Sequence, residues 1–245
     1  MPPRFSILIH LWIISTTLCS QTSGRVYRTI VQEYDNTNYY TGGVKTRSLI
    51  CGADTTIKYQ EEINQYAHYE LSKDGHYTPS PLHAASTATI SYTPVSKTEN
   101  KTYEGSSQGL TTTEETYTYT NFGNLEAYQY TDKMTSDGYT TTITYQDNTH
   151  KHILGLPVQV TVTGSNQVLY RKVTAQYADT KYNPNRITKI SQQLNTAETA
   201  ESQFEYDKNG NLTTKTLPKN KENQHMKYTY QYDRKYNMYI ERVED

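Results

Sequence analysis

Phe204–Thr216 reads FEYDKNGNLTTKT. Asn209-Gly210 is the strongest short-range hairpin signal a sequence offers, since both residues accept the positive φ that a type I′ turn demands. Asp207 stands just ahead of it, where a carboxylate accepts hydrogen bonds from the turn's own N–H groups. The threonines on the far side suit a pleated, half-buried surface. The segment predicts strand, tight turn, strand.

Working outward, period-2 patterning runs through the chain from residue 110. In Tyr139–Gln146, YTTTITYQ, residues Tyr139, Thr141, Ile143 and Tyr145 share one face and three threonines the other. Val158, Val160 and Val162 alternate with Gln159, Thr161 and Thr163, and Gly164–Gln167 supplies turn residues. Tyr228, Tyr230 and Tyr232 line one face of MKYTYQYD. The best helical stretch, Ile190–Gln203, spaces Leu194, Ala197 and Ala200 too poorly for an apolar stripe.

The hairpin signal repeats. Tyr119–Leu125, YTNFGNL, matches Tyr206–Leu212, YDKNGNL, at Tyr, Gly, Asn and Leu. Gly123, Asn124 and Leu125 thus correspond to Gly210, Asn211 and Leu212. Leu71–Tyr77 and Met134–Thr140 are weaker copies with Asp-Gly at the turn, and Tyr-Asp recurs at Tyr34-Asp35 and Tyr232-Asp233. FEYDKNGNLTTKT resembles the repeat unit of the Rhs/YD-repeat family, with its Tyr-Asp dyad, Gly-Asn turn and following Leu-Thr. His152–Val162, HILGLPVQVTV, and the closing YTYQYDRKYNMYIERVED look like segments of bacterial YD-repeat proteins related to insecticidal toxin-complex components. The resemblance covers residues 116–245 well and 22–105 loosely. It implies an all-β fold, an antiparallel hairpin strip wound into a single-layer shell that in the family encloses or presents a toxin. Tyr119, Gly123, Asn124, Leu125, Tyr206, Asp207, Asn209, Gly210, Asn211, Leu212, Tyr232 and Asp233 are then structural repeat and turn residues, with no catalytic, cofactor-binding or metal-binding role.

Composition fits a thin wall. The 245 residues include 25 tyrosines and 39 threonines, and mean hydropathy is −0.86. Tyrosine offers stacking area with a hydroxyl that stays hydrated or bonded, and threonine keeps β preference while remaining polar. Exposed leucine or valine on such a wall would form apolar patches. Lys plus Arg number 24 against 25 Asp plus Glu, a net charge of −1 that gives no electrostatic argument for nucleic acid.

Residues 1–20 read as a signal peptide: Arg4 is the charged start, Phe5–Ile14 the apolar stretch, and Ser15–Ser20 the small and polar approach to cleavage. The apolar run is too short to span a bilayer. The expected location is secreted, cell-surface or periplasmic, and Leu18 before Cys19 fits lipoprotein processing poorly. Cleavage leaves Cys51 as the remaining cysteine, expected as a small buried residue. The expected regions are 1–20, leader; 21–105, irregular and β-rich; and 106–245, YD-repeat-like and incomplete.

Chemistry-bearing motifs are weak. His150 and His152 would share a strand face, a spacing zinc uses, yet no third ligand follows at sensible spacing. Glu61-Glu62 and Glu114-Glu115 are adjacent, so on strands they point to opposite faces and do not form a facing acid pair. The chain lacks a Gly-x-Ser-x-Gly elbow, a phosphate loop and Cys-x-x-Cys. The expectation is a non-enzymatic module without cofactor, whose partner is the remainder of a larger YD-repeat shell or another β-rich chain. The alternative is a cell-surface carbohydrate- or protein-binding module with a glycan partner.

Overall fold

The computed structural model describes residues 12–19, 26–38, 40–53, 56–80, 90–106, 108–178, 185–195 and 197–245. The chain divides into two compact units, Met1–Tyr139 and Thr140–Asp245.

In the first unit, β1 (Trp12–Cys19), β2 (Val26–Asp35), β3 (Val44–Cys51) and β4 (Lys58–Tyr66) follow one another. A short excursion supplies β5 (Tyr69–Leu71), β6 (Tyr77–Pro79) and β7 (Ser91–Tyr92), a separate three-stranded sheet ordered β6-β5-β7. The main sheet resumes with β8 (Val95–Thr102), β9 (Thr111–Tyr119) and β10 (Leu125–Asp132), in the order β1-β2-β3-β4-β8-β9-β10. Residues 21–105, expected to be irregular and β-rich, contain the ladder strands β2, β3, β4 and β8. The β8–β9 ladder runs unbroken from Lys97↔Thr116 to Thr102↔Thr111. Trp12–Cys19, within the expected leader, pairs with β2 from Trp12↔Tyr34 onward, as an apolar β-branched stretch does at an open edge.

The second unit begins within β11 (Gly138–Asn148) and has a one-turn 3₁₀ helix, Thr149–Lys151. It continues through β12 (Ile153–Gly164), β13 (Leu169–Tyr177), β14 (Ile187–Gln193) and β15 (Thr199–Tyr206). It closes with β16 (Leu212–Lys219), β17 (His225–Tyr232) and β18 (Ile240–Glu244). These strands neighbour each other in chain order. Ile190–Gln203 is two strands, β14 and β15, as its poor helical spacing implies.

The all-β expectation holds, and side-chain burial explains the composition. Among the described residues the buried apolar set is Leu49, Cys51 and Tyr103. All eight residues of β8 are half-buried, so both of its faces meet neighbouring side chains and water alike. A sheet without a packed second layer is covered by side chains that lie along it. Tyr117, Tyr128 and Tyr139 do this in a row, with ring centroids 5.4 and 5.9 Å apart.

A dense patch lies on β2–β4. Arg47 stands between Glu33, 2.7 Å away, and Glu61, whose Oε1 accepts from Nε at 2.6 Å. Tyr103 donates to Glu61 Oε2 at 2.7 Å and Lys58 approaches at 3.7 Å. Burial and the Glu61 hydrogen bond push the Tyr103 phenol up to about 12. Beside them Cys51 is fully buried with Sγ 3.4 Å from the Thr29 carbonyl, the small buried residue expected.

Candidate functional site: a repeated turn and tyrosine clasp

Asp207 organises the turn at the centre of the repeat. Its N–H donates to the Asn211 carbonyl at 3.0 Å, and the Gly210 N–H donates back to the Asp207 carbonyl at 3.1 Å. The Asp207 carboxylate accepts from the N–H groups of Asn209 (2.8 Å) and Asn211 (3.0 Å). Gly210 has φ +84°, whereas Asn209 is not among the positive-φ residues. This corrects the type I′ expectation. The loop is a three-residue one, a type I turn closed by a left-handed residue that forms a bulge. The Asp207 carboxylate fits this longer loop, bonding the N–H groups of Asn209 and Asn211.

The same pair of backbone bonds recurs. Thr120 N–H meets the Asn124 carbonyl at 2.8 Å and Gly123 N–H meets the Thr120 carbonyl at 2.9 Å, with φ +79° at Gly123. Ser72–His76, Gly164–Val168 and Asn220–Gln224 repeat it, with Gly75, Gln167 and Asn223 in the left-handed position. The first residue's side chain caps the turn wherever it has an acceptor: Thr120 Oγ1 accepts from Phe122 and Asn124, and Asn220 Oδ1 from Gln224.

Asn211 links neighbouring turns. Its amide donates to Asp207 Oδ2 at 3.1 Å and to the Asn237 carbonyl at 2.7 Å, and Asn237 returns a bond to Asp207 Oδ2 at 3.1 Å. Burial raises the Asp207 pKa, but these amide and backbone donors outweigh it and hold the carboxyl below its usual range. Asp233 caps the longer Asp233–Tyr239 turn, accepting from Tyr236, Met238 and Tyr239 N–H groups, which hold its carboxyl down too.

The tyrosine that ends five of the strands does something that the sequence reading missed. Tyr206 donates to the Ile187 carbonyl at 2.9 Å and Tyr232 to the Leu212 carbonyl at 3.0 Å. Tyr66 meets the Lys45 carbonyl at 2.8 Å, Tyr119 that of Val95 at 2.7 Å, and Tyr177 that of Pro157 at 3.0 Å. In all five the geometry is the same. The final ladder pair joins the residue two after the gripped carbonyl to the residue three before the tyrosine: Arg47↔Ile63, Lys97↔Thr116, Gln159↔Thr174, Lys189↔Gln203 and Thr214↔Thr229. Past that pair the strands part, and the phenol takes the place of the ladder bond that would have followed.

The clasps form a relay. Tyr34 pairs across its hairpin with Lys45, whose carbonyl Tyr66 grips; Tyr66 pairs with Val95, gripped by Tyr119. In the second unit Tyr177 pairs with Ile187, gripped by Tyr206, and Tyr206 pairs with Leu212, gripped by Tyr232. Directly after each gripped residue the register slips by one, and Thr46 and Thr188 in that slip donate to the Glu33 and Gln176 carbonyls at 3.2 Å. A partly buried hydroxyl resists ionising: burial raises the phenols of Tyr66, Tyr119, Tyr177 and Tyr206.

Where alanine follows the tyrosine, at Tyr66-Ala67 and Tyr177-Ala178, a longer connection leads to the next strand of the main sheet. The connection after Tyr66 holds β5–β7, whose Tyr69, Tyr77 and Tyr92 gather with Tyr119 at ring-centroid separations of 5.6–6.4 Å. Gly123 lies under this cluster, 3.5 Å from Tyr92 at the point a Cβ would occupy.

The remaining sequence candidates do not assemble into a reactive centre. His150 and His152 sit on the exposed Thr149–Lys151 turn and its left-handed cap, φ +52°, not on one strand face. Glu61 and Glu62 turn to opposite faces, toward Arg47 and toward Lys45 at 2.9 Å. Glu114 is held by Lys97 and Lys133, while Glu115 accepts from Tyr117 at 2.6 Å.

No family model matches the chain, and no curated protein matches it. Among solved structures it is similar to a chain in the crystal structure of TcdB2-TccC3-Cdc42, at 13% identity and a TM-score of 0.28, covering 91% of this chain and 14% of that one. It is also similar to a chain in the Photorhabdus luminescens Tc holotoxin pore bearing a TccC3 mutation, at 13% identity and a TM-score of 0.31, covering 94% of this chain and 14% of that one.

Proposed function

We propose that the chain is a non-enzymatic structural module of an exported YD-repeat protein, a stretch of β wall within a larger shell that encloses or presents a toxin. The observation that carries this reading is the relay: Tyr66 and Tyr206 each hold a carbonyl of the preceding strand and stand opposite the residue that Tyr119 and Tyr232 grip in turn. Residues placed this way do scaffold work and leave no phenol or carboxylate of the dyad over for catalysis. Such a unit propagates, since the hairpins at Lys45, Val95, Ile187 and Leu212 present the carbonyl that the following tyrosine takes. The leader Met1–Ser20 supplies export, and its removal would uncover the β2 edge that β1 covers.

The test is the particle formed by the protein isolated from its native source, by native mass spectrometry and negative-stain electron microscopy. The expected result is a hollow assembly far heavier than the 28.2 kDa chain. A lone monomer of that mass, or turnover of a substrate lost on Asp207→Ala, would overturn the reading.

A further inference from the structure

One face of the first unit carries a recess of about 310 Å³ built from β3, β4 and β8. The registers Ser48↔Glu62↔Asn100 and Ile50↔Gln60↔Thr102 put these lining residues on the same side of the sheet. Glu61 and Lys101 border it too, but their side chains turn to the other side, to Arg47 and Glu99. The one carboxylate aimed at the recess is already matched, since Glu62 holds Lys45 at 2.9 Å and accepts from the Asn64 amide at 2.8 Å. Ser48, Gln60, Asn100 and Thr102 differ: among the described residues their hydroxyls and amides have no hydrogen-bond partner. Ser48, Asn100 and Thr102 are half-buried and Gln60 is exposed. Neighbouring hydroxyl and amide groups thus keep donors and acceptors for something outside the chain. On the same face β9 carries Thr113 opposite Asn100 and, about 13 Å further along the strand, Tyr117, first ring of the row Tyr117–Tyr128–Tyr139. Glu115 takes the Tyr117 hydroxyl at 2.6 Å, so that ring offers its stacking surface.

We propose that this face is a carbohydrate-binding site for a neutral oligosaccharide. One sugar ring sits in the recess, its hydroxyls bonded by Ser48, Gln60, Asn100 and Thr102, and the following rings lead toward Tyr117 and Tyr128. Water meets such groups one at a time, whereas a polyhydroxylated ring meets several at once and lays an apolar face on an aromatic ring. With Lys45 bound to Glu62 and Lys101 turned away, the recess offers no cation to a sulfate or a sugar carboxylate, so its ligand is uncharged. The inference goes beyond the wall reading and does not need it, because the recess lies wholly within the first unit.

The probe is a printed array of neutral oligosaccharides of glucose, galactose, mannose and N-acetylglucosamine, beside sulfated and sialylated ones, screened with the full chain. The neutral oligosaccharide bound most strongly is then titrated by calorimetry against the wild type, Asn100→Ala, Gln60→Ala and Lys101→Ala. Neutral sugars are expected to bind, and Asn100→Ala and Gln60→Ala each to weaken binding about fivefold, the loss of one net hydrogen bond. Both should melt as the wild type does, since neither amide has an internal partner to lose. Lys101→Ala, altered on the opposite face, should bind as the wild type does. An array that retains no neutral sugar, a preference for the sulfated or sialylated ones, or equal affinity of wild type, Asn100→Ala and Gln60→Ala would overturn the proposal. A hollow native particle that binds no sugar removes the site and leaves the wall reading; a sugar-binding monomer does the reverse.

Discussion

Replacing Tyr206 by phenylalanine removes one oxygen and keeps the ring, so it isolates the clasp from the stacking. The lost bond, 2.9 Å from hydroxyl to the Ile187 carbonyl, is worth about 0.5–1.5 kcal/mol net, and a carbonyl left dry would add roughly 1–3 kcal/mol. Tyr206 is half-buried at the sheet end, where water reaches Ile187 once the hydroxyl has gone. The dry-carbonyl penalty is therefore mostly relieved, and the expected loss is about 1–1.5 kcal/mol. In a chain of this size that corresponds to a fall of roughly 2–6 °C in Tm. Urea unfolding followed by circular dichroism should show a lower midpoint at unchanged slope. Tyr170→Phe is the control: that ring is 60% exposed and belongs to no clasp, so it should move the midpoint by less than about 0.5 kcal/mol. Equal effects of the two substitutions would refute the clasp as a source of stability.

Other substitutions probe the remaining parts. Gly210→Val forces a β-branched residue to φ +84° and should destabilise by about 2 kcal/mol, whereas Asn209→Ala, outside the left-handed position, should cost less than about 1 kcal/mol; equal losses in denaturant titrations would restore the type I′ turn. Arg47→Met leaves Glu61, 6% exposed, without its main partner, and should lower stability by roughly 3 kcal/mol, a loss that Arg47→Met with Glu61→Met largely reverses. In alkali, Tyr66, Tyr119, Tyr177 and Tyr206 have folded pKa values above their unfolded value of 10.0. Their contribution is complete below pH 10 and is lost as pH rises through the folded values, so absorbance at about 295 nm should show a late-ionising tyrosine class that disappears in urea. Asp207 runs the other way: its folded pKa lies below 3.8, so the turn's stability is present above that pH and lost as pH falls through the folded value, and Asp207→Asn should flatten the acid limb of the unfolding profile.

Much of the architecture is legible in single residues. Alternating Tyr and Thr give the strands, and the matching Gly123-Asn124-Leu125 and Gly210-Asn211-Leu212 segments mark equivalent bends. The turn type is not legible in Asn209-Gly210, because that dipeptide serves both two- and three-residue loops, and the same three-residue loop forms at Gly164, which has no side chain to cap it. Asn211 reads as a turn residue, and its bond to the Asn237 carbonyl, 26 positions away, follows only from the folded register. The clasps are hidden for a related reason. The hydroxyl's partner is a backbone carbonyl, which every residue carries, so Lys45, Val95, Pro157, Ile187 and Leu212 share no side-chain signature. What does persist is the separation, 19–24 residues from carbonyl to tyrosine, and a search for tyrosines at that distance beyond Gly-Asn-Leu would have found Tyr232.

The most direct test is nuclear Overhauser spectroscopy on the chain with labelled tyrosine, isoleucine, leucine and threonine. The account predicts contacts from the Tyr206 ring to the backbone of Ile187 and from the Tyr232 ring to that of Leu212, together with cross-strand contacts at Thr214–Thr229. Rings that instead contact only their own strands, or a Thr214 paired in another register, would contradict it.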